Sequence, residues 1–171
     1  MDNDALIGLA KDWGIALVIA LVVFGVWGLI APGPKQSGNA PELLLHDLQG
    51  EMFSLEDADH AVTVVNFWAT WCAPCRQEIP EFSRFAKDHP DVGVYGVSVD
   101  EDISTERLAM MSERLGIRYP VLHDQTGFVA SRWGVTGYPT TFILDANHEI
   151  VSVKMGALSG HRLADLVEEA R

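Results

Sequence analysis

Residues 62–75 read VTVVNFWATWCAPC, and this stretch decides the fold. Val62 to Ala69 is an uncharged run rich in β-branched and aromatic residues, the pattern of a strand covered on both faces. It leads into Cys72-Ala73-Pro74-Cys75, after which Ile79, Phe82, Phe85 and Ala86 recur at helical spacing towards Asp88. The thiols therefore fall at a strand-to-helix turn. Cys72 stands at the predicted helix N-terminus, with Pro74 in the first turn, where its missing N–H costs nothing. Unpaired backbone N–H groups and the positive end of the helix dipole favour a thiolate there. Cys75, one turn deeper, is the natural resolving thiol. The chain has 2 cysteines and 6 histidines. Zinc asks for four ligands, and these histidines are scattered singly. The pair reads as a redox dithiol, with no metal and no cofactor implied.

Downstream, Val92–Val99 is a second apolar strand and Ser104–Leu115 a helix stopped by Gly116. Tyr119–Leu122 reads as extended and Gly127–Trp133 as a short helix. Thr140–Leu144 and Glu149–Lys154 form a hairpin around Ala146-Asn147-His148, and Ser159–Arg171 closes the chain as a helix. Pro80 inside the first helix removes one N–H from its ladder, so a kink is expected there. Upstream, Glu42–Leu55 reads as a hairpin turning near Gln49-Gly50-Glu51. Strands alternating with helices, then a hairpin, predict an α/β fold with a mixed central sheet flanked by helices.

The amino-terminal region has a different character. Residues 1–12 are a short polar lead, and residues 13–31 (WGIALVIALVVFGVWGLIA) carry no charge. At about 1.5 Å per residue such a helix spans about 28 Å, near the thickness of a bilayer core. Trp13 and Trp27 suit interfacial anchors. A cleaved signal peptide would have a shorter apolar core and a small-x-small site, whereas Pro32 follows Ala31 here. A retained anchor is expected, followed by a Pro/Gly/Ser-rich tether over 32–41 and one domain over 42–171. The 171-residue chain is 48% hydrophobic and carries a net charge of −12. That charge argues against nucleic acid as a partner.

The segment VVNFWATWCAPCRQEIP (64–80), followed by GVTGYPTTFILD (134–145), resembles the thioredoxin superfamily. More narrowly it is similar to membrane-tethered TlpA/ResA-type thiol–disulfide oxidoreductases, including cytochrome c maturation proteins of the CcmG/DsbE type. The resemblance runs from about Pro41 to Arg171. It implies a cis peptide before Pro139, packed beside the disulfide, and Tyr138 against the cysteine pair. Read without it, Pro139 is an ordinary trans turn proline and Glu78 a solvated helix charge. With it, Glu78, three residues after Cys75, takes a proton-handling role. Asn66 stands where thioredoxins proper carry a buried aspartate. Trp71, Ala73, Pro74 and Tyr138 are then expected to face the substrate. Arg76 adds positive charge beside the thiols.

Superfamily potentials run from about −270 mV to about −120 mV. No histidine lies between the cysteines, and this directs the expectation to the reducing end. The expected protein reduces protein disulfides on the outer face of a bacterial cytoplasmic membrane and is recharged by a thiol-transferring membrane electron donor. Apocytochrome c is the sharpest candidate substrate. General periplasmic disulfide reduction and copper-site assembly are the rivals, and a metal-carrying or chaperone module is the non-enzymatic alternative.

Overall fold

A computed structural model describes residues 38–171. The lead, the expected span 13–31 and most of the tether lie outside the described residues. Among the described residues no helix is long and apolar enough to cross a membrane. The strands are β1 (Gly38–Asn39), β2 (Leu44–His46), β3 (Met52–Ser54), β4 (Val62–Trp68), β5 (Val92–Ser98), β6 (Val121–His123), β7 (Thr140–Leu144) and β8 (Glu149–Met155). The helices are α1 (Ala73–Asp88), α2 (Thr105–Arg114), α3 (Phe128–Arg132) and α4 (Gly160–Glu169).

Six strands form one mixed sheet in the order β1-β8-β7-β4-β5-β6. β4, β5 and β6 run parallel, whereas β7, β8 and β1 alternate in direction. The β2–β3 hairpin forms a separate two-stranded sheet, joined to β6 through an Asp47–Leu122 bridge. Every residue of β4 is buried, so both faces of the central strand are covered, as its uncharged sequence requires. The end of the expected tether is part of the sheet: Gly38 and Asn39 pair with Ile150 and Glu149. A pairing this short has no apolar alternation to reveal it in the sequence.

α1 turns Ile79, Phe82 and Phe85 into the core and packs against α4, which contributes Leu163, Leu166 and Val167. Pro80 is exposed on the helix, and α1 continues through it. Phe67, Trp133 and Phe142 form an aromatic centre, with ring centroids 5.4 Å (Phe67–Trp133), 5.7 Å (Phe67–Phe142) and 4.9 Å (Trp133–Phe142) apart. Such edge and tilted contacts add specific attraction to the area they bury. On β5 the chain needs a glycine at Gly96. A Cβ there would meet Tyr119 Cε2 at 2.9 Å and Trp68 Nε1 at 3.0 Å.

The register brings one end of the sheet together. Trp68 lies beside Ser98, and Phe67 faces Thr140. The carboxyl ends of β4 and β5 and the start of β7 therefore converge, and the Cys72 turn, Asp100 and Pro139 all issue from that end.

Candidate active site

Cys72 and Cys75 are joined as a disulfide, with Cα atoms 5.3 Å apart. Cys72 caps α1, and the Cys75 N–H donates to Cys72 Sγ at 3.2 Å. Pro74 sits in the first turn, as the sequence predicts. The donor that now touches the disulfide would touch a Cys72 thiolate once the bond is reduced, and the helix dipole has the same sign of effect. Cys72 is 5% exposed and Cys75 0%. Trp71, by contrast, is 64% exposed, and Ala73 and Pro74 are also exposed. The sulfurs are thus seated in the core surface while their sequence neighbours face solvent. The Arg76 guanidinium donates to the Thr70 carbonyl at 2.8 Å, so it braces the turn before the cysteines.

Glu78 is buried, at 2% exposure, and not a solvated helix charge. Asn66 Nδ2 donates to its Oε1 at 2.9 Å, and the Leu158 N–H donates to its Oε2 at 2.8 Å. The same Asn66 amide donates to Thr141 Oγ1 at 3.1 Å, a contact that follows from the β4–β7 register, where Asn66 and Thr141 are opposite. Burial pushes the Glu78 carboxyl up from 4.5 to about 7, against the lowering effect of the Leu158 and Asn66 donors. A carboxyl with this affinity both holds and releases a proton near neutral pH.

The Tyr138–Pro139 peptide is cis, as the resemblance implies, and Pro139 is buried. The Tyr138 ring stands edge-on to Trp71, with centroids 5.8 Å apart, so the β7 turn reaches the cysteine motif through this pair. The turn is held from within: Gly156 N–H donates to the Pro139 carbonyl at 2.8 Å, and the Thr140 hydroxyl donates to the Gly137 carbonyl at 2.7 Å. Among the described residues no internal hydrogen bond engages the Tyr138 backbone. Burial, then the charges of Asp124 and Glu101, raise the Tyr138 hydroxyl above its ordinary range.

Sequence reasoning missed Asp100. This buried carboxylate follows β5 and accepts from Thr70 N at 2.9 Å, Thr70 Oγ1 at 2.6 Å and Ser98 Oγ at 2.8 Å. It ties the turn carrying Trp71 and Cys72 to the neighbouring strand. Its signal was available: an acid directly after an apolar parallel strand lies at the carboxyl edge, where α/β sheets place their sites.

The AhpC/TSA family pattern matches residues 37–153. The chain is 34% identical over 161 residues to the thioredoxin-like protein YneN of Bacillus subtilis, covering 88% of this chain and 94% of that one. It is 28% identical over 132 residues to the thiol-disulfide oxidoreductase ResA of Geobacillus thermodenitrificans, covering 77% and 76% respectively. A solved thiol:disulfide interchange protein of the thioredoxin family from Chlorobium tepidum superposes with a TM-score of 0.67 at 28% identity, covering 81% of this chain and 97% of that one. The Cys72–Cys75 pair fits the redox-active site that such names require. By sequence, fold and the chemistry of its relatives, the chain belongs to the AhpC/TSA family and is a TlpA/ResA-like thiol–disulfide oxidoreductase of the thioredoxin superfamily.

Proposed function

We propose that the chain works as a membrane-tethered reductant of protein disulfides outside the cytoplasm. The observation that carries this reading is the dithiol site itself: Cys72 at a helix N-terminus, with a neutral-range acid, Glu78, buried one turn beyond Cys75. In the reduced protein the Cys72 thiolate attacks a substrate sulfur. A mixed disulfide forms, and the other substrate sulfur leaves as a thiolate that takes a proton. Cys75 gives its proton to the Glu78 carboxylate and attacks Cys72 Sγ. The second substrate thiolate leaves, the Cys72–Cys75 bond forms, and two electrons have passed to the substrate. The unengaged Tyr138 backbone beside Trp71 suits an extended substrate strand.

The uncharged stretch 13–31 supports the tether. An oxidising compartment does not regenerate a dithiol, so a membrane donor of thiol-transferring type closes the cycle. Holding the domain near that donor raises their effective concentration. Apocytochrome c is the substrate this reading favours. Replacing Cys75 with Ser in cells is expected to accumulate mixed disulfides through Cys72, and their partners name the client. A trap that accumulates none, or a Cys72–Cys75 midpoint near about −120 mV, would overturn the reductant reading.

A further inference from the structure

We propose that the cleft beside Trp71 is a substrate subsite that takes a lysine or arginine side chain lying close to the substrate's reacting cysteine. The inference rests on the reading of the chain as a reductant of protein disulfides, and it specifies which polypeptides are preferred. The cleft has a volume of about 550 Å³ and lies between the Trp71–Tyr138 pair and the segment joining β5 to α2. It starts at the residue next to Cys72, so a chain engaged with that sulfur passes its mouth.

The lining has two halves. Ile103 and Met111 are half-buried, and with Val99 they supply an apolar wall. Trp71 and Tyr138 add aromatic rings at an edge-on centroid distance of 5.8 Å. Against these stand Glu101 and Asp102, both exposed, and Arg107. Among the described residues neither Glu101 nor Asp102 enters an ion pair. Asp100 behind them is held by neutral donors, Thr70 and Ser98. Three acidic residues and one arginine therefore line the cleft. After burial and Asp124, Glu101 also contributes to raising the hydroxyl of Tyr138, the ring that borders the cleft.

A ligand that suits both halves has a long apolar stem and a cationic tip. Lysine and arginine are built in this way: the stem lies on apolar surface while the charge stays at the polar rim, and aromatic faces attract the cation. An acidic side chain would meet like charge, and a short neutral one would leave the rim without a partner. A cleft that focuses one sign of charge beside the reactive sulfur speeds the encounter as well as the fit.

The test uses the reduced full chain and three disulfide-bonded peptides of equal length, with lysines, serines or glutamates flanking the cysteine. Single-turnover rates are measured by stopped flow at low and high salt. The lysine peptide is expected to react about tenfold faster than the serine peptide at low salt. The advantage should shrink as the screening length falls to about 3 Å at 1 M. In E101Q/D102N the lysine-to-serine ratio is expected to fall towards one. In D59N/E149Q, which removes equal charge at the far end of the sheet, the ratio is expected to persist. Equal rates for all three peptides would overturn this subsite while leaving disulfide reduction standing. A ratio kept in E101Q/D102N, or lost equally in D59N/E149Q, would also overturn it. Failure to reduce any peptide would overturn the reductant reading and the subsite with it.

Discussion

Glu78 is where a single substitution reports most directly on the site. In the folded chain its carboxyl sits at about 7 against an ordinary 4.5, with burial as the main cause. Between those two values the folded chain keeps a proton that the unfolded chain has lost. The stabilisation that Glu78 contributes is therefore fully present below about pH 4.5, falls as pH rises, and is gone above about pH 7. The gap corresponds to about 3 kcal/mol, at about 1.4 kcal/mol per decade of proton concentration. Glu78→Gln removes the titration and preserves the shape. The introduced carbonyl accepts from Leu158 N–H, and the introduced NH2 faces Asn66. Asn66 then turns its amide over, so that its oxygen accepts from that NH2 and from the Thr141 hydroxyl, and each contact has a partner of the right kind. Urea unfolding of the oxidised full chain and of the variant, at pH 4.5 and pH 8.5, isolates the effect. The disulfide keeps the thiols from titrating, and subtracting the two proteins cancels the groups they share. Glu78→Gln is expected to gain about 3 kcal/mol on the parent between the two pH values. A difference that stays flat, or one that moves the other way, would refute the buried neutral acid and the proton role built on it.

Three further substitutions probe the frame around the site. Asp100→Ala leaves Thr70 N, Thr70 Oγ1 and Ser98 Oγ without their acceptor. It is expected to cost about 3 kcal/mol in urea unfolding, with a near-ultraviolet circular dichroism change at the tryptophans. Gly96→Ala forces a methyl against Tyr119 and Trp68, both buried and neither able to swing away, so a loss of about 1–3 kcal/mol is expected from thermal or urea melts. Phe142→Ala empties the centre shared with Phe67 and Trp133, and about 3–5 kcal/mol should disappear in the same measurement.

How far the molecule could be read from its residues depends on how local the cause is. Val62–Trp68 and Ala73–Asp88 were legible because each carries its own period and boundary: an uncharged run, then a cap, a first-turn proline and an apolar stripe. The thiols follow from that boundary alone. The position of Glu78 one turn from Cys75 is likewise local. Its burial is not, because the group that holds Oε2 is the backbone of Leu158, on the far side of β8. Spacing along one helix cannot show which distant loop will cover it. The cis bond before Pro139 came from family likeness, since a tyrosine–proline pair by itself favours trans. Asp100 escaped because its three donors come from two strand ends that only the parallel β4–β5 register makes neighbours. Gly38–Asn39 escaped for the opposite reason: two small polar residues acquire a partner solely through Glu149 and Ile150.

That short first strand also decides where things can be attached. It pairs at the Thr63–Leu144 end of the sheet, whereas the thiols emerge past Phe67 and Thr140. From Thr63 to Trp68 the sheet runs about 17 Å, at roughly 3.3 Å per residue. The polypeptide thus enters the domain at its heel and reacts at its toe. A fluorophore, affinity handle or second enzyme fused ahead of Gly38 would hang from the heel. The point of attachment and the reacting sulfurs therefore lie at opposite ends of the same sheet.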